Sequence, residues 1–203
     1  MSTATLQPPA TNRRTGPRLL TCADLAVLPT TLPSGDVRYE LDNGRLVIMP
    51  PPGDIHGRTQ YKVGRYLDTH AEELGLGEGW VEVGIVLRRD PDRVVGADAA
   101  FVLKASQPVR VTTEGWLETI PEIVVEIRSK NDTTPEVLAK RDEYFDAGVR
   151  VVWVLDPDDR TVVVHAPPAA PVVFATADTL TSPLLPGFAV PVALLFPVRA
   201  APG

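Results

Sequence analysis

Cysteine is almost absent: Cys22 is the only one in 203 residues. One thiol allows neither an internal disulfide nor a cysteine-based metal cluster, and it fits a reducing cytoplasm. Long apolar runs are absent as well. No stretch of about 18 apolar residues occurs, so neither a transmembrane helix nor a membrane partner is expected. Residues 1–17 are polar, with Pro8, Pro9, Arg13 and Arg14, and hold no apolar signal core. Such a composition cannot bury apolar surface, which predicts a disordered tail over 1–17 and a second tail over 198–203. There is no phosphate-cradling Gly-x-x-x-x-Gly-Lys loop, no Gly-x-Ser-x-Gly elbow and no internal repeat. Net positive charge is also lacking, the formal charge being −6. This argues against non-specific coating of nucleic acid. It leaves room for a local basic cleft, because Arg88, Arg89, Arg93, Arg128, Lys130, Lys140, Arg141 and Arg150 lie in or beside the central region. The alternative is a solvated surface of mixed charge.

Hydrophobic residues at 44% and charged residues at 23% are ordinary for a globular chain, and the length suits one domain, placed at 18–197. Thr21 can cap a short helix through Leu28, with Asp24 at the favourable end. Residues 38–41 and 45–49 read as strands around Asp42-Asn43-Gly44, a strong hairpin signal. Residues 54–74 read as a helix with Tyr61, Val63, Tyr66, Leu67 and Leu74 as its stripe and Gly75 as its cap. Residues 80–87 alternate as a strand, with Val81, Val83, Ile85 and Leu87 on one face. Residues 94–103 return as a second strand. After a loop over 105–121 come a strand at 123–127 and a helix opened by Thr134-Pro135 and closed by Gly148. Strands follow at 151–156 and 161–165. The pattern predicts an α/β or α+β fold with a mixed sheet.

Two strands carry a carboxylate where a core strand should have none. In Ile123-Val124-Val125-Glu126-Ile127, residues 123, 125 and 127 face one way, and Val124, Glu126 and Arg128 the other. Glu126 thus sits among apolar neighbours, where a lone ionised carboxylate is costly unless paired, metal-bound or protonated. Asp98 poses the same problem one strand earlier. Together they could hold a hard divalent cation. Equally, Asp98 could cap a turn and Glu126 could pair with Arg128. Lys140 shares a helical face with Val137 and Tyr144 and can reach inward, or snorkel at the surface. Ser129 can close the strand end or brace Glu126.

Five blocks in order resemble the Uma2 family of the PD-(D/E)xK nuclease superfamily. They are residues 36–52 followed by His56, the Asp98 strand, Glu126-x-x-Ser129, Lys140-Arg141 to Tyr144 with residues 147–157, and residues 182–188. The resemblance implies a restriction-endonuclease-like mixed central sheet flanked by helices, with an added N-terminal β-hairpin. It implies an endonuclease acting on DNA with Mg²⁺ (or Mn²⁺), and is compatible with a homodimer. Asp98, Glu126 and Lys140 would be catalytic. Asp98 and Glu126, with Glu40 as an added carboxylate, would hold metal, and Arg128 and His56 would face substrate phosphate. Two positions depart from the superfamily pattern: Ala97 stands where a proline commonly precedes the Asp, and Arg128 stands at the lysine position, so the lysine role passes to Lys140. The other readings are a nuclease-fold nucleic-acid-binding or assembly module without activity, and a metal-dependent hydrolase of another phosphate ester.

Overall fold

Residues 17–33, 35–49 and 51–198 are described by a computed structural model of the chain. Apart from residues 17 and 198, the expected terminal tails lie outside these described residues.

Thr21 caps α1 (Cys22–Ala26) through a reciprocal box: its side chain accepts from the Asp24 amide, and Asp24 accepts from the Thr21 amide at 2.9 Å. The helix stops short of the expected Leu28 because Pro29 disfavours helical geometry in the residue before it. Between α1 and the first hairpin a small ladder forms, β1 (Thr31–Leu32) on β2 (Gly35–Asp36). The hairpin of β3 (Arg38–Asp42) and β4 (Arg45–Met49) turns at Asn43 and Gly44, φ 52° and 73°, as the Asn-Gly pair demands. Next come α2 (Asp54–Leu67) and a π-helical turn over Asp68–Glu72, closed by Gly75 at φ 69°. The chain continues through β5 (Gly77–Arg88), β6 (Arg93–Leu103), β7 (Ile123–Ile127), α3 (Thr134–Ala147), β8 (Val151–Asp156) and β9 (Thr161–His165). It ends in β10 (Val172–Phe174), β11 (Thr179–Thr181), β12 (Ala189–Pro191) and α4 (Val192–Leu195).

Eight strands form one sheet in the order β10-β9-β8-β7-β6-β3-β4, with β5 also on β6. Only β7 and β8 are parallel, joined through α3, so the sheet is mixed and mostly antiparallel as expected. The sheet is covered on both faces. On one, Ile123, Val125, Ile127, Trp153 and Leu155 pack with Val63 and Leu67 of α2 and with Leu180, Leu185 and Phe188. On the other, Val124, Val152 and Val154 pack with Val137 and Tyr144 of α3. The alternation read from β7 therefore holds.

Two expected faces differ. On α2 the stripe is Val63 and Leu67, while Tyr61 is 70% and Leu74 60% exposed; Tyr61 lies two residues from Val63, about 200° around a helix. On β5, Val83, Ile85 and Leu87 do share the core face. Val81 does not, because Glu82 takes φ 52° and breaks the alternation, turning Val81 toward α2.

Between β6 and its neighbours lies the feature that positions the site. One edge of β6 is filled by β5 from Gly77↔Leu103 to Arg88↔Arg93. The other edge is shared end to end. β7 pairs only with residues 99–101, and β3 meets β6 only at Leu41↔Val94. Opposite residues 95–98 the sheet forks and leaves a gap.

The hairpin turn is closely packed: Gly44 accepts from the Leu20 amide and donates to Asp92 O, each at 2.7 Å, and a Cβ there would stand 2.7 Å from Leu19 Cβ. Gly44→Ala is expected to cost about 1–3 kcal/mol through strain at positive φ and this overlap. Urea unfolding checks it, with Asn43→Gly as a near-neutral control.

Candidate active site

At the fork, main-chain groups that a neighbouring strand would have bonded must find other partners. The Ile127 N–H donates to Asp98 Oδ2 at 2.7 Å. The Gly96 N–H donates to Glu40 Oε1 at 2.9 Å, and Gly96 O accepts from Lys140 Nζ at 2.9 Å. Carboxylates and a lysine are drawn into the sheet to complete its hydrogen bonding. One step beyond the last β6–β7 pair, Ala99↔Val125, the register sets Asp98 opposite Glu126.

Glu126 lies under α3. Its Oε1 accepts from Tyr144 OH and its Oε2 from Lys140 Nζ at 3.1 Å. Burial pushes the Glu126 carboxyl up to about 7, against the pull of the Lys140 charge. Tyr144 is pushed well above its ordinary value by burial and then by the Glu126 charge. For Lys140, burial acts downward, but Glu126, Glu40 and Asp98 together outweigh it and hold the ammonium charged.

Lys140 arrives there because α3 is fixed at both ends. A Thr133–Glu136 capping box with Pro135 starts it, and Gly148 at φ 109° ends it. Val137 and Tyr144 anchor the same face in the core, so the lysine stem is carried over the sheet to the gap.

His56, in the first turn of α2, stands 3.2 Å from Asp98 Oδ2. Burial lowers the tendency of its ring to protonate, yet Asp98 prevails and the net direction is upward. The His56 Nδ1 is buried with no hydrogen-bond partner among the described residues. Both contacts of the Asp98 carboxylate fall on Oδ2; Oδ1 bonds to no described residue and is not sealed from solvent.

The structure thus brings together Asp98, Glu126, Lys140, Glu40 and His56. It does not bring in Arg128, whose guanidinium meets Asp156 at 3.0 Å and Asp132 O at 3.3 Å. Ser129 closes the following turn on Asp132 instead of bracing Glu126. Two further residues belong here. Gln60 donates to Asp98 O at 2.9 Å, and its spacing of four from His56 was the available signal. Arg93 is buried against Glu40 at 3.4 Å; its sequence neighbours give no hint of a partner 53 residues away.

Among the described residues, no group of three or more His, Cys, Asp or Glu side chains is gathered as a metal cage. The donors at the fork suit a different mode. Two carboxylates at adjacent positions on neighbouring strands, one with an open oxygen, suit a hard cation that keeps several waters and takes further oxygens from a phosphate. Glu40 fits less well, because its oxygens already serve the Gly96 amide, Lys140 and Arg93. A cavity of about 620 Å³ elsewhere, lined by Cys22, Arg89 and Glu118, contains none of these groups.

The model of the Uma2 family, described as "Putative restriction endonuclease", matches residues 25–193. A crystal structure from Anabaena variabilis ATCC 29413, described as "a putative nuclease belonging to DUF820", is similar in fold with a TM-score of 0.69 at 19% identity. The match covers 89% of this chain and 98% of that one. No curated protein matches the chain.

Burial of Glu126 fixes the sign of a pH effect. Below its ordinary 4.5 the group is protonated in both folded and unfolded chains; between 4.5 and about 7 only the folded protein keeps the proton. The Glu126 contribution to stability is therefore present at low pH and declines as pH rises through about 7. In chelator-treated protein, Glu126→Gln should gain stability relative to wild type across that window. Urea midpoints at pH 5 to 8 test this; a constant difference between the two proteins contradicts it.

Proposed function

The chain belongs to the Uma2 family, and on that premise we propose that it is a metal-dependent endonuclease that hydrolyses DNA phosphodiester bonds with water as nucleophile. The observation that carries this reading is the opposition of Asp98 and Glu126 at the sheet fork with the Lys140 ammonium on Glu126. Asp98 and Glu126 would hold Mg²⁺ or Mn²⁺, Asp98 through its open oxygen. When bound, such a cation lowers the pKa of its water and neutralises charge on a phosphate oxygen.

The remaining work falls to the chain's own side chains. Lys140 stays charged and acts electrostatically, stabilising negative charge that develops on the phosphoryl group. His56 and the Ile127 amide hold the Asp98 carboxylate by its Oδ2, which leaves Oδ1 for the cation. Arg128, paired with Asp156 outside the cluster, would serve substrate phosphate from the strand end, since arginine clamps phosphate but stays protonated.

One observation favours a second reading, a nucleic-acid-binding module without turnover. Both Glu126 oxygens are already occupied, by Tyr144 and Lys140, so the cluster is internally neutralised.

Cleavage of single- and double-stranded DNA with Mg²⁺ or Mn²⁺ separates the two. Wild type should cut and Asp98→Ala should not; equal cutting by both would falsify the assignment. Lys140→Ala should slow single turnover by about 10²–10³-fold, as loss of a preorganised charge does. It should keep the metal-induced rise in melting temperature, which Glu126→Ala loses.

Arg128→Ala should leave the single-turnover rate at saturating DNA unchanged. It should weaken binding and reduce the salt slope by about 1, the value for one phosphate contact. Binding isotherms at several salt concentrations read both quantities; an unchanged slope removes Arg128 from the interface.

A further inference from the structure

Lys140 ends a four-carbon stem that has no rigidity of its own, yet its ammonium is directed at three acceptors on three strands. These are Gly96 O of β6 at 2.9 Å, Glu126 Oε2 of β7 at 3.1 Å and Glu40 Oε1 of β3 at 3.5 Å. The first two lie on strands that are paired through these residues along their other edges, β6 with β5 and β7 with β8. The third comes from a strand that joins β6 through a single register pair, Leu41↔Val94. Something other than the ladder must hold Glu40 in place.

We propose that Arg93 is the positioning residue for Lys140, acting through Glu40 on one side and through α3 on the other. Its NH1 donates across the join of β3 and β6, to Leu41 O at 3.0 Å, Val94 O at 3.2 Å and Glu40 Oε2 at 3.4 Å. Its Nε donates to Glu143 Oε2 at 2.7 Å. Glu143 follows Lys140 by three residues, so this bond sets the rotation of α3 at the turn that carries the lysine. The two arms differ in strength. Glu143 is 42% exposed and its ion pair is screened by solvent, whereas Arg93 and Glu40 are about one-tenth exposed. The arm through Glu40 dominates. A planar fork is what the position requires, since a lysine there could not serve both directions at once. Glu40 thereby becomes the anchor of Lys140 and not a metal ligand, with its oxygens taken by Gly96, Lys140 and Arg93.

The proposal rests on the reading of Lys140 as the catalytic cation, so its test has one arm that needs no activity. The chain has four lysines, and ¹⁵N labelling of their Nζ atoms gives resonances of which Lys140 is assigned by its loss in Lys140→Arg. In chelator-treated protein, Arg93→Gln and Glu40→Gln should move the Lys140 signal toward those of exposed lysines, and Glu143→Gln should move it less. In the kinetic arm, Arg93→Gln and Glu40→Gln should lower the single-turnover rate at saturating DNA about 10- to 100-fold, the scale of a misplaced catalytic group. DNA affinity should stay within about twofold of wild type and the metal-induced melting shift should be kept. Arg93→Lys should fail to restore the rate. An unmoved Lys140 resonance in both glutamine variants overturns the proposal, as does loss of the metal response in Glu40→Gln. If Arg93→Gln does not fold, the isosteric Glu40→Gln decides alone. If wild type cleaves nothing, the nuclease reading falls, while the resonance arm still decides the placement of Lys140.

Discussion

A β-strand has two edges, and one edge of β6 is asked to serve two partners. Because β7 and β3 share it end to end, neither supplies backbone bonds opposite residues 95–98. Amides and carbonyls left there in a nearly dry sheet would each cost on the order of 1–3 kcal/mol if unmet. Asp98 and Glu40 accept from the amides of Ile127 and Gly96, and Lys140 donates to Gly96 O. The polar cluster is thus part of the sheet's own hydrogen bonding, and its charges follow from that need.

Charge balance then constrains the residues around the fork. Removing one partner of a buried ion pair leaves the other uncompensated, at a cost of about 3–5 kcal/mol. Here Asp98, Glu126 and Glu40 face Lys140, Arg93 and His56. This pairing lets a chain of formal charge −6 keep three acids close together at the fork. The surface charge of the whole protein says little about the local field at this point.

Much of this was legible in the sequence, for reasons that differ by residue. The Asn43-Gly44 turn, the Thr21 cap and the Gly148 stop are local, and local steric rules sufficed. Asp98 and Glu126 stood out because a carboxylate in a Val- and Ile-rich strand conflicts with burial. Lys140 stood out because Val137 and Tyr144 fix its helical face. Alternation along a strand reveals faces but not edges, so the fork could not be read. Nor could the partners of Arg93, on β3 and α3, or the Asp156 that takes Arg128 out of the cluster. The break in β5 at Glu82 carries no glycine or proline to announce it.

The parallel pair β7 and β8 with α3 between them has a bearing on the order of assembly. Glu126 and Lys140 are only 14 residues apart and belong to this one β-α-β unit. Their pairing closes a short loop and can form with the unit itself. Asp98 reaches Ile127 across 29 residues, Lys140 reaches Gly96 across 44, and Glu40 reaches Gly96 across 56. Loop-closure entropy makes those contacts later events on the folding route. By closure entropy the Glu126–Lys140 contact is the least costly of the four, and the complete cluster needs the antiparallel edge in place as well.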